Sequence, residues 1–279
     1  MNIHAVLHQA CAALEKAVDK KEAKLEVQML LQHILDVNHA WLITHAADEI
    51  ENQAHQQFQS LIQRRISGEP IAYILGEREF YGLTFKITSD TLIPRPDTES
   101  LVEAALAKIP NDQDTAVLDL GTGTGAIALA IAKHRPQAQI TAVDNSISAL
   151  TVAQENAQRL NINNVRFTQS HWFKGLKNQM FDLIVSNPPY IEDHDPHLSQ
   201  GDLRFEPIIA LASGEDGLDD LREITANSVH HLKPHGWLLL EHGYKQAAEV
   251  AKLLKDAAFH DIQHIEDLAG IQRVTLGHR

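Results

Sequence analysis

Residues 116–125 read AVLDLGTGTG, a short apolar run that ends in three closely spaced glycines. Helical spacing of apolar residues follows at once, over residues 126–134. This stretch predicts a buried strand, a tight turn and a helix, with the glycines at the carboxyl end of the strand. In open α/β sheets, ligands bind at that end of the strands.

The sequence on either side predicts further strands of the same sheet, separated by helical segments such as residues 149–160. The predicted strands are QITAVD (139–144), VRFTQ (165–169), FDLIVS (181–186) and WLLLEHG (237–243). Two more, in DIQHIED and RVTLGH, are typical of an antiparallel edge. Apolar strands that alternate with helices predict an α/β fold, in which helices cover both faces of a mostly parallel sheet.

The residues before this sheet have a helical pattern instead. Up to Gly68, apolar residues recur every three or four positions, which predicts three main helices and a short helical turn at 41–44. Pro70 stops any continuation, and residues 76–93 alternate like a β-hairpin with its turn at Tyr81-Gly82-Leu83. The predicted organisation is a helical bundle (1–75), a hairpin connector (76–93) and the α/β domain (94–279).

Composition limits the function. The chain has 279 residues, of which 44% are hydrophobic, as expected for a protein with a buried core. Its 37 acidic and 24 basic residues give a net charge of −13, so we expect no direct nucleic-acid binding. No apolar run reaches the roughly 20 residues that cross a bilayer, and the first residues predict an amphipathic helix rather than a signal peptide. The single cysteine, Cys11, favours a cytoplasmic location.

The glycine-rich turn Gly121-Thr122-Gly123-Thr124-Gly125 is the first candidate binding site. Glycines let a ligand approach the backbone, and the helix that follows offers free N–H donors. The alternative is an ordinary tight turn, since the spacing differs from the dinucleotide fingerprint. Asp144 ends the next strand, where a carboxylate can accept hydrogen bonds from both ribose hydroxyls of a nucleoside. Its alternative role is to cap the following helix.

Ser186-Asn187-Pro188-Pro189-Tyr190 is the second candidate site, directly after the predicted strand FDLIVS. Two prolines stiffen the loop and remove two N–H donors, so the loop presents carbonyl groups. The Asn187 amide oxygen and the Pro188 carbonyl are two acceptors beside the flat ring of Tyr190. This set suits a planar NH₂ group, and a simple rigid Pro-Pro turn is the alternative.

The histidines invite a metal interpretation, because the chain has 17 of them. His230, His231 and His235 lie on both sides of Pro234, which spoils the spacing that ligands on one helix need. A single cysteine also excludes a zinc site built from several thiolates. We therefore predict no metal site.

Several motifs together resemble a known family. DLGTGTG, AVD and NPPY, in that order, are similar to class I S-adenosylmethionine-dependent methyltransferases that act on amino or amide nitrogen. Longer motifs resemble the release-factor glutamine N5-methyltransferase family (PrmC/HemK), namely GEPIAYILGEREFYG (68–82), TLIPRPDTE (91–99), SNPPYI, DPHL (195–198), RFEP (204–207), LLLEHG and RVTLG (273–277). The resemblance covers nearly the whole chain.

The resemblance implies a Rossmann-like class I methyltransferase sheet that uses S-adenosylmethionine and releases S-adenosylhomocysteine. The implied substrate is the glutamine of the Gly-Gly-Gln motif in class-1 peptide-chain release factors, a protein that the helical bundle helps to dock. The implied cofactor-binding residues are Gly121, Thr122, Gly123, Thr124, Gly125, Asp144, Trp172 and Asn187. The implied substrate-binding residues are Asn187, Pro188, Pro189 and Tyr190, and the catalytic ones among them are Asn187, Pro188 and Tyr190.

Three residues near these motifs have open roles. Relatives usually have Asp before the tryptophan, whereas this chain has His171 before Trp172. A backbone carbonyl or a water would then replace the carboxylate that meets the adenine amino group. Trp172 has core packing as its alternative role. Arg95 either meets a carboxylate or forms a surface salt bridge.

Two other functions remain possible from the sequence. A methyltransferase acting on adenine or cytosine amino groups of nucleic acid could use the same NPPY loop. It would need base flipping and a phosphate-binding surface, which the acidic composition disfavours. A non-catalytic nucleotide-binding adaptor would need a damaged substrate loop, and NPPY is intact.

Overall fold

The structure, a computed structural model, describes every residue from Met1 to Arg279. The chain divides into two compact units, Met1–Gly76 and Glu77–Arg279. Each unit has its own apolar core, since one cluster of buried side chains draws on residues 3–74 and another on residues 118–259. None of the helices combines the length and the apolar character that crossing a bilayer requires.

The first unit is a bundle of helices. The helices are α1 Ile3–Leu14, α2 Lys20–Leu35, α3 His39–Thr44, α4 Asn52–Ile66 and α5 Ile71–Leu75. Asn2, Asp19 and Asn38 each accept a backbone N–H from the first turn that follows, and so fix the starts of α1, α2 and α3. The three long helices and the short one near residue 41 are as predicted. The sequence does not predict α5, because Pro70, which is predicted to stop any further helix, is the N-cap of α5 instead.

The second unit begins with the predicted hairpin, formed by β1 (Glu77–Phe80) and β2 (Leu83–Lys86). Tyr81 and Gly82 form the two-residue turn, and both have positive φ angles, as hairpin turns of this length require. Regular strand structure ends at Lys86, earlier than the predicted limit of the hairpin segment. Asn156 anchors this end, because its side chain accepts from the Lys86 N–H and donates to the Lys86 carbonyl.

A seven-stranded sheet forms the body of the second unit, with strand order β5-β4-β3-β6-β7-β9-β8. The strands are β3 Ala116–Leu120, β4 Gln139–Asp144, β5 Val165–Gln169, β6 Phe181–Ser186, β7 Leu232–Glu241, β8 His260–Glu266 and β9 Gln272–His278. The helices are α6 Glu99–Lys108, α7 Ala126–His134, α8 Ile147–Arg159, α9 Asp219–Ser228 and α10 Ala247–Asp256. The first five strands in the sheet order are parallel, and β9 is antiparallel to both of its neighbours. The predicted mostly parallel sheet with an antiparallel edge is confirmed.

Two boundaries differ from the prediction for physical reasons. The strand predicted at 237–243 starts earlier, at Leu232, and ends at Glu241. Its first part is irregular, because the pairing with β6 shifts register before Trp237. Helix α8 starts at Ile147, which is exposed and therefore outside the apolar pattern that defines the predicted start.

The strand order reverses at β3, and this positions the candidate sites. From β3 the chain continues outward to β4 and β5, and then returns to the other side of β3 with β6. A crevice opens where such a reversal occurs, outside the carboxyl ends of the strands. Leu120 pairs with Ser186 in the sheet, so the glycine turn and the Asn187 loop leave the sheet side by side.

Candidate active site

The glycine loop follows β3 and leads into α7. Gly121, Gly123 and Gly125 have φ angles of 72°, 54° and 82°, a region that favours glycine. A Cβ on Gly121 would lie 3.3 Å from the Trp172 ring, so this ring packs against bare backbone. A Cβ on Gly125 would lie 3.2 Å from the Cβ of Ala153. The glycines therefore serve both the turn and the close packing around it.

Thr122 and Thr124, between the glycines, are buried. The Thr122 hydroxyl donates to Oδ2 of Asp119 over 2.6 Å. The Thr124 carbonyl accepts a hydrogen bond from Asn156. Because both threonines are buried, the accessible part of this loop is mainly glycine backbone.

Asp119 lies beneath the loop and is completely buried. Its Oδ2 accepts hydrogen bonds from the Thr122 hydroxyl and from the Ala128 N–H, whereas Oδ1 has no hydrogen-bond partner. Burial raises the pKa of this carboxyl from 3.8 to about 7, although the two hydrogen bonds act in the opposite direction. The free oxygen can accept a hydrogen bond from a cationic donor placed at the glycine loop.

We expect Asp119→Asn to stabilise the cofactor-free protein, and the gain to grow with pH. Between pH 3.8 and about 7 the folded protein holds the Asp119 proton more tightly than the unfolded chain, so its free energy of unfolding falls as pH rises. Asparagine cannot ionise and escapes this loss. The free energies of unfolding of the two proteins should differ by about 4 kcal/mol near pH 8, roughly 10 °C in thermal unfolding, and by much less near pH 4. Asp112→Asn, at an exposed site, is the control, and parallel pH curves for Asp119→Asn would refute the assignment.

Asp144 ends β4 and faces the same loop. Its Oδ2 accepts from the Gly123 N–H over 2.9 Å, and its Oδ1 accepts from the Ser146 N–H over 2.8 Å. Burial raises the pKa of Asp144, and these backbone hydrogen bonds oppose the rise. The N-cap of α8 is Ser146, whose hydroxyl accepts from the Ala149 N–H. The capping role considered for Asp144 therefore belongs to its neighbour.

Trp172 and His171 follow β5. The Trp172 indole N–H donates to Asp220 on α9 over 3.1 Å, and the ring is half-buried against the core. His171 Nδ1 lies 3.6 Å from the Glu223 carboxylate and has no hydrogen-bond partner. The acidic groups near this tryptophan thus come from α9, which the sequence motifs do not indicate.

The SNPPY loop follows β6 and is fixed at both ends. The Ser186 hydroxyl donates to the Leu120 carbonyl over 2.8 Å, which ties this loop to the start of the glycine loop. The Asn187 amide N–H donates to the Thr98 hydroxyl over 3.2 Å. Its amide oxygen therefore stays available as an acceptor. At the other end, the Tyr190 N–H donates to the Leu211 carbonyl.

A small cavity of about 60 Å³ lies against this loop. Its walls are formed by Leu92, Arg95, Asn187, Pro188, Pro189, Tyr190, Ile191, Leu203, Ala210 and Leu211. Arg95 pairs with the carboxylate of Glu206, whose side chain is fully buried. The same carboxylate accepts from the Ile93 N–H over 2.9 Å. Arg95 therefore meets a carboxylate, one of the two roles considered for it, and lies in the wall of the cavity.

Two residues near the loop are absent from the sequence-based site. Glu241, at the end of β7, is buried and lies with its Oε1 3.4 Å from the Tyr190 hydroxyl. Thr98, directly before α6, is buried and holds the Asn187 side chain. Both lie within motifs that carry the family resemblance, TLIPRPDTE and LLLEHG, but neither has a neighbour in sequence that marks it as functional.

Comparisons with known proteins show the family of this chain. The family model described as the PrmC N-terminal domain matches residues 5–76, and the methyltransferase small domain matches residues 98–202. The release factor glutamine methyltransferase of Xylella fastidiosa (strain Temecula1) is 48% identical to this chain, over 95% of it and 96% of the relative. The chain belongs to the release factor glutamine methyltransferase family. A further member, from Pseudomonas aeruginosa, is 49% identical over 93% of this chain and 94% of its own.

A solved methyltransferase structure supports the fold. The methyltransferase from Pyrococcus furiosus matches with a TM-score of 0.53 and 20% identity, over 77% of this chain and 95% of that one. At this identity the likeness concerns the fold alone. The release factor glutamine methyltransferase family and the α/β methyltransferase fold, both expected from the motifs, are thereby confirmed.

Proposed function

We propose that this protein transfers a methyl group from S-adenosylmethionine to the side-chain amide nitrogen of a release-factor glutamine. The observation that carries this proposal is the junction of two loops, where the Ser186 hydroxyl bonds to the Leu120 carbonyl at 2.8 Å. This bond holds the candidate cofactor loop beside the candidate substrate loop. Family membership supplies the identity of the substrate, the glutamine of the Gly-Gly-Gln motif of class-1 release factors. Because release factors act at ribosomes, we also place the activity in the cytoplasm.

The residues around the glycine loop fit S-adenosylmethionine. The unpartnered Oδ1 of Asp119 suits the ammonium group of the methionine part. Each Asp144 oxygen has one backbone hydrogen bond and can accept another, as two ribose hydroxyls would need. Trp172, packed on Gly121, offers an aromatic ring for the adenine end. The glycine backbone between these groups leaves room for close approach.

The substrate loop performs its part of the reaction by holding an amide. When bound, the cofactor supplies a methyl group attached to a positively charged sulfur. A glutamine nitrogen is a poor nucleophile, because its lone pair is delocalised into the carbonyl. Asn187 Oδ1 and the Pro188 carbonyl would each accept a hydrogen bond from one N–H of this nitrogen. These two hydrogen bonds would aim the nitrogen at the methyl group and stabilise the positive charge that develops on it. The Tyr190 ring packs beside the planar amide.

The glutamine itself is the first thing to test. Purified protein with methyl-labelled cofactor should label an intact class-1 release factor. It should not label the same factor with Gln→Glu in the Gly-Gly-Gln motif, nor DNA or RNA assayed in parallel. Labelling of nucleic acid in preference to the release factor would replace the proposal with the nucleic-acid alternative.

We further propose that the helical unit docks the release factor. Its core uses only residues 3–74, and the cofactor and substrate loops all lie beyond residue 94. Its contribution is therefore binding to a folded partner at a distance from the reacting glutamine. A short Gly-Gly-Gln peptide cannot use such a surface.

A chain that starts at Gly76 should keep cofactor binding but lose preference for the intact release factor. We expect kcat/KM for the protein substrate to fall about tenfold, with kcat/KM for the peptide unchanged. Circular dichroism and thermal unfolding must first show that the shortened chain folds, because removing the bundle can expose apolar surface. An unchanged preference for the intact protein would move recognition to the second unit.

A further inference from the structure

Three polar side chains meet at the substrate loop, each from a different element, and two of them are buried. Thr98 precedes α6, Asn187 follows β6, and Glu241 ends β7. The Asn187 N–H donates to the Thr98 hydroxyl over 3.2 Å. The Thr98 hydroxyl approaches the Glu241 carboxylate closely enough to act on its pKa as a hydrogen-bond donor. Thr98 and Glu241 are 4% and 1% exposed, so no bulk water competes for these contacts.

Glu241 is the buried end of the row of polar side chains formed by Asn187, Thr98 and Glu241. Its Oε1 accepts a hydrogen bond from the Tyr190 hydroxyl over 3.4 Å, whereas its buried Oε2 has no hydrogen-bond partner. Burial raises the pKa of Glu241 to about 7, and Asp97 acts in the same direction. Arg273, Thr98 and Tyr190 lower it. The proposed reaction gives no role to this buried carboxyl, whose pKa is about 7.

We propose that Thr98 and Glu241 are positioning residues that fix which way the Asn187 amide faces, an inference that rests on the proposed function. An ionised carboxylate only accepts hydrogen bonds. The Thr98 hydroxyl must then donate to Glu241 and accept from Asn187. This turns the Asn187 NH₂ group towards Thr98 and its oxygen towards the substrate amide.

The direction of this row decides whether the site can hold its substrate. A glutamine NH₂ group needs an acceptor, and a reversed Asn187 would offer it a second NH₂ group. Protonated Glu241 can itself donate to Thr98, which frees the hydroxyl to donate to Asn187 and permits the reversed amide. The negative charge of Glu241 also polarises the row and strengthens the Asn187 oxygen as an acceptor.

Single-turnover kinetics with saturating cofactor test the role of the hydroxyl. We expect Thr98→Val to lower the rate about 30-fold with KM changed by less than about threefold, and Thr98→Ser to recover most of the rate. The matched control is Thr225→Val, because Thr225 is equally buried on α9 and its hydroxyl has no partner. A Thr98→Val rate within about threefold of the wild type, or a Thr98→Ser rate as low as that of Thr98→Val, overturns the proposal.

The charge of Glu241 is tested by a pH profile. The wild-type rate should fall as pH drops through about 7. Glu241→Gln should lower the rate about tenfold at high pH and remove that fall, because glutamine does not titrate. A Glu241→Gln profile that keeps the wild-type fall overturns the role of the charge. Glu241→Gln also carries the test if Thr98→Val does not fold.

A readout without substrate separates this inference from the proposed function. In protein labelled with nitrogen-15 asparagine, the Asn187 side-chain signal is assigned by its loss in Asn187→Asp. It should shift in Thr98→Val and titrate with pH in the wild type but not in Glu241→Gln. An Asn187 signal indifferent to both variants overturns the row of hydrogen bonds. If the Asn187 signal responds in these ways but the wild-type protein labels no release factor, the proposed function alone is refuted.

Discussion

Asn187→Ala should lower the single-turnover rate of methyl transfer about 1,000-fold, or about 4 kcal/mol. The alanine removes the acceptor that orients one N–H bond of the substrate amide and stabilises the charge developing on its nitrogen. Because the chemistry needs no strong base before attack, orientation is most of what the site supplies. Rapid mixing of cofactor-loaded enzyme with release factor, followed by quenching, measures this rate directly.

The control for this experiment is Asn111→Ala, an exposed asparagine in the loop before β3. It should leave the rate unchanged. The affinity of Asn187→Ala for S-adenosylhomocysteine, measured alongside, separates the catalytic loss from any loss of cofactor binding by Asn187. A rate for Asn187→Ala within about threefold of the wild type would remove this residue from the mechanism.

The parts of the site that the sequence predicts are those built from residues close together in the chain. The glycine turn, Asp144 and the SNPPY loop each follow a strand, and strand ends are readable from short apolar runs. Because parallel strands end at one edge of the sheet, the sequence places these loops at that edge. It does not predict that β3 and β6 are neighbours, which the pairing of Leu120 with Ser186 shows.

The parts that the sequence does not predict depend on distant pairs. Asn187 reaches Thr98 across 89 positions and Arg95 reaches Glu206 across 111. Glu241 belongs to the site only because β7 pairs in register with β6 and ends at that residue. In the sequence it is one acid after an apolar run, and its burial cannot be seen without the neighbouring elements.

The same limit explains the errors at element boundaries. The start of β7 precedes a register shift, so its first residues do not follow the apolar pattern that defines the rest of the strand. Pro70 indicates the end of one helix and gives no sign that it begins another. In both places an isolated residue or an irregular pairing decides the structure, and periodicity carries no information about it.

Two carboxyl groups towards the carboxyl ends of parallel strands are buried with raised pKa values, Asp119 in β3 and Glu241 at the end of β7. Both weaken the folded state as pH rises, since the ionised form must be kept out of water. A protein that retains such groups sacrifices stability at the edge where its ligands are proposed to bind. Asp119→Asn and Glu241→Gln should therefore both raise thermal stability while they impair activity, a trade-off typical of functional sites.

Asp144→Ala should weaken the binding of S-adenosylhomocysteine about 100-fold while slowing the fully loaded enzyme by less than about threefold. The proposed contact is to the ribose, remote from the reacting methyl group, so the loss belongs to binding. The Asp144 carboxylate also accepts a hydrogen bond from the Gly123 N–H. Its removal should therefore loosen the glycine loop, which is proposed to bind the same cofactor. Isothermal titration calorimetry gives the affinity, and single-turnover rates at saturating cofactor give the second quantity.

Ser146→Ala separates the ribose contact from support of the adjacent helix. Ser146 caps α8, so its loss should cost about 1 kcal/mol of folding stability and leave the cofactor affinity unchanged. If Asp144 acted only by supporting α8 through its bond to the Ser146 N–H, Asp144→Ala would resemble Ser146→Ala in both measurements. Asp144→Asn adds a third comparison, because its amide keeps one acceptor oxygen and replaces the other with a donor. An affinity between those of the wild type and Asp144→Ala follows if both oxygens take part in binding, and an affinity equal to the wild type means that the charge and the second acceptor contribute nothing.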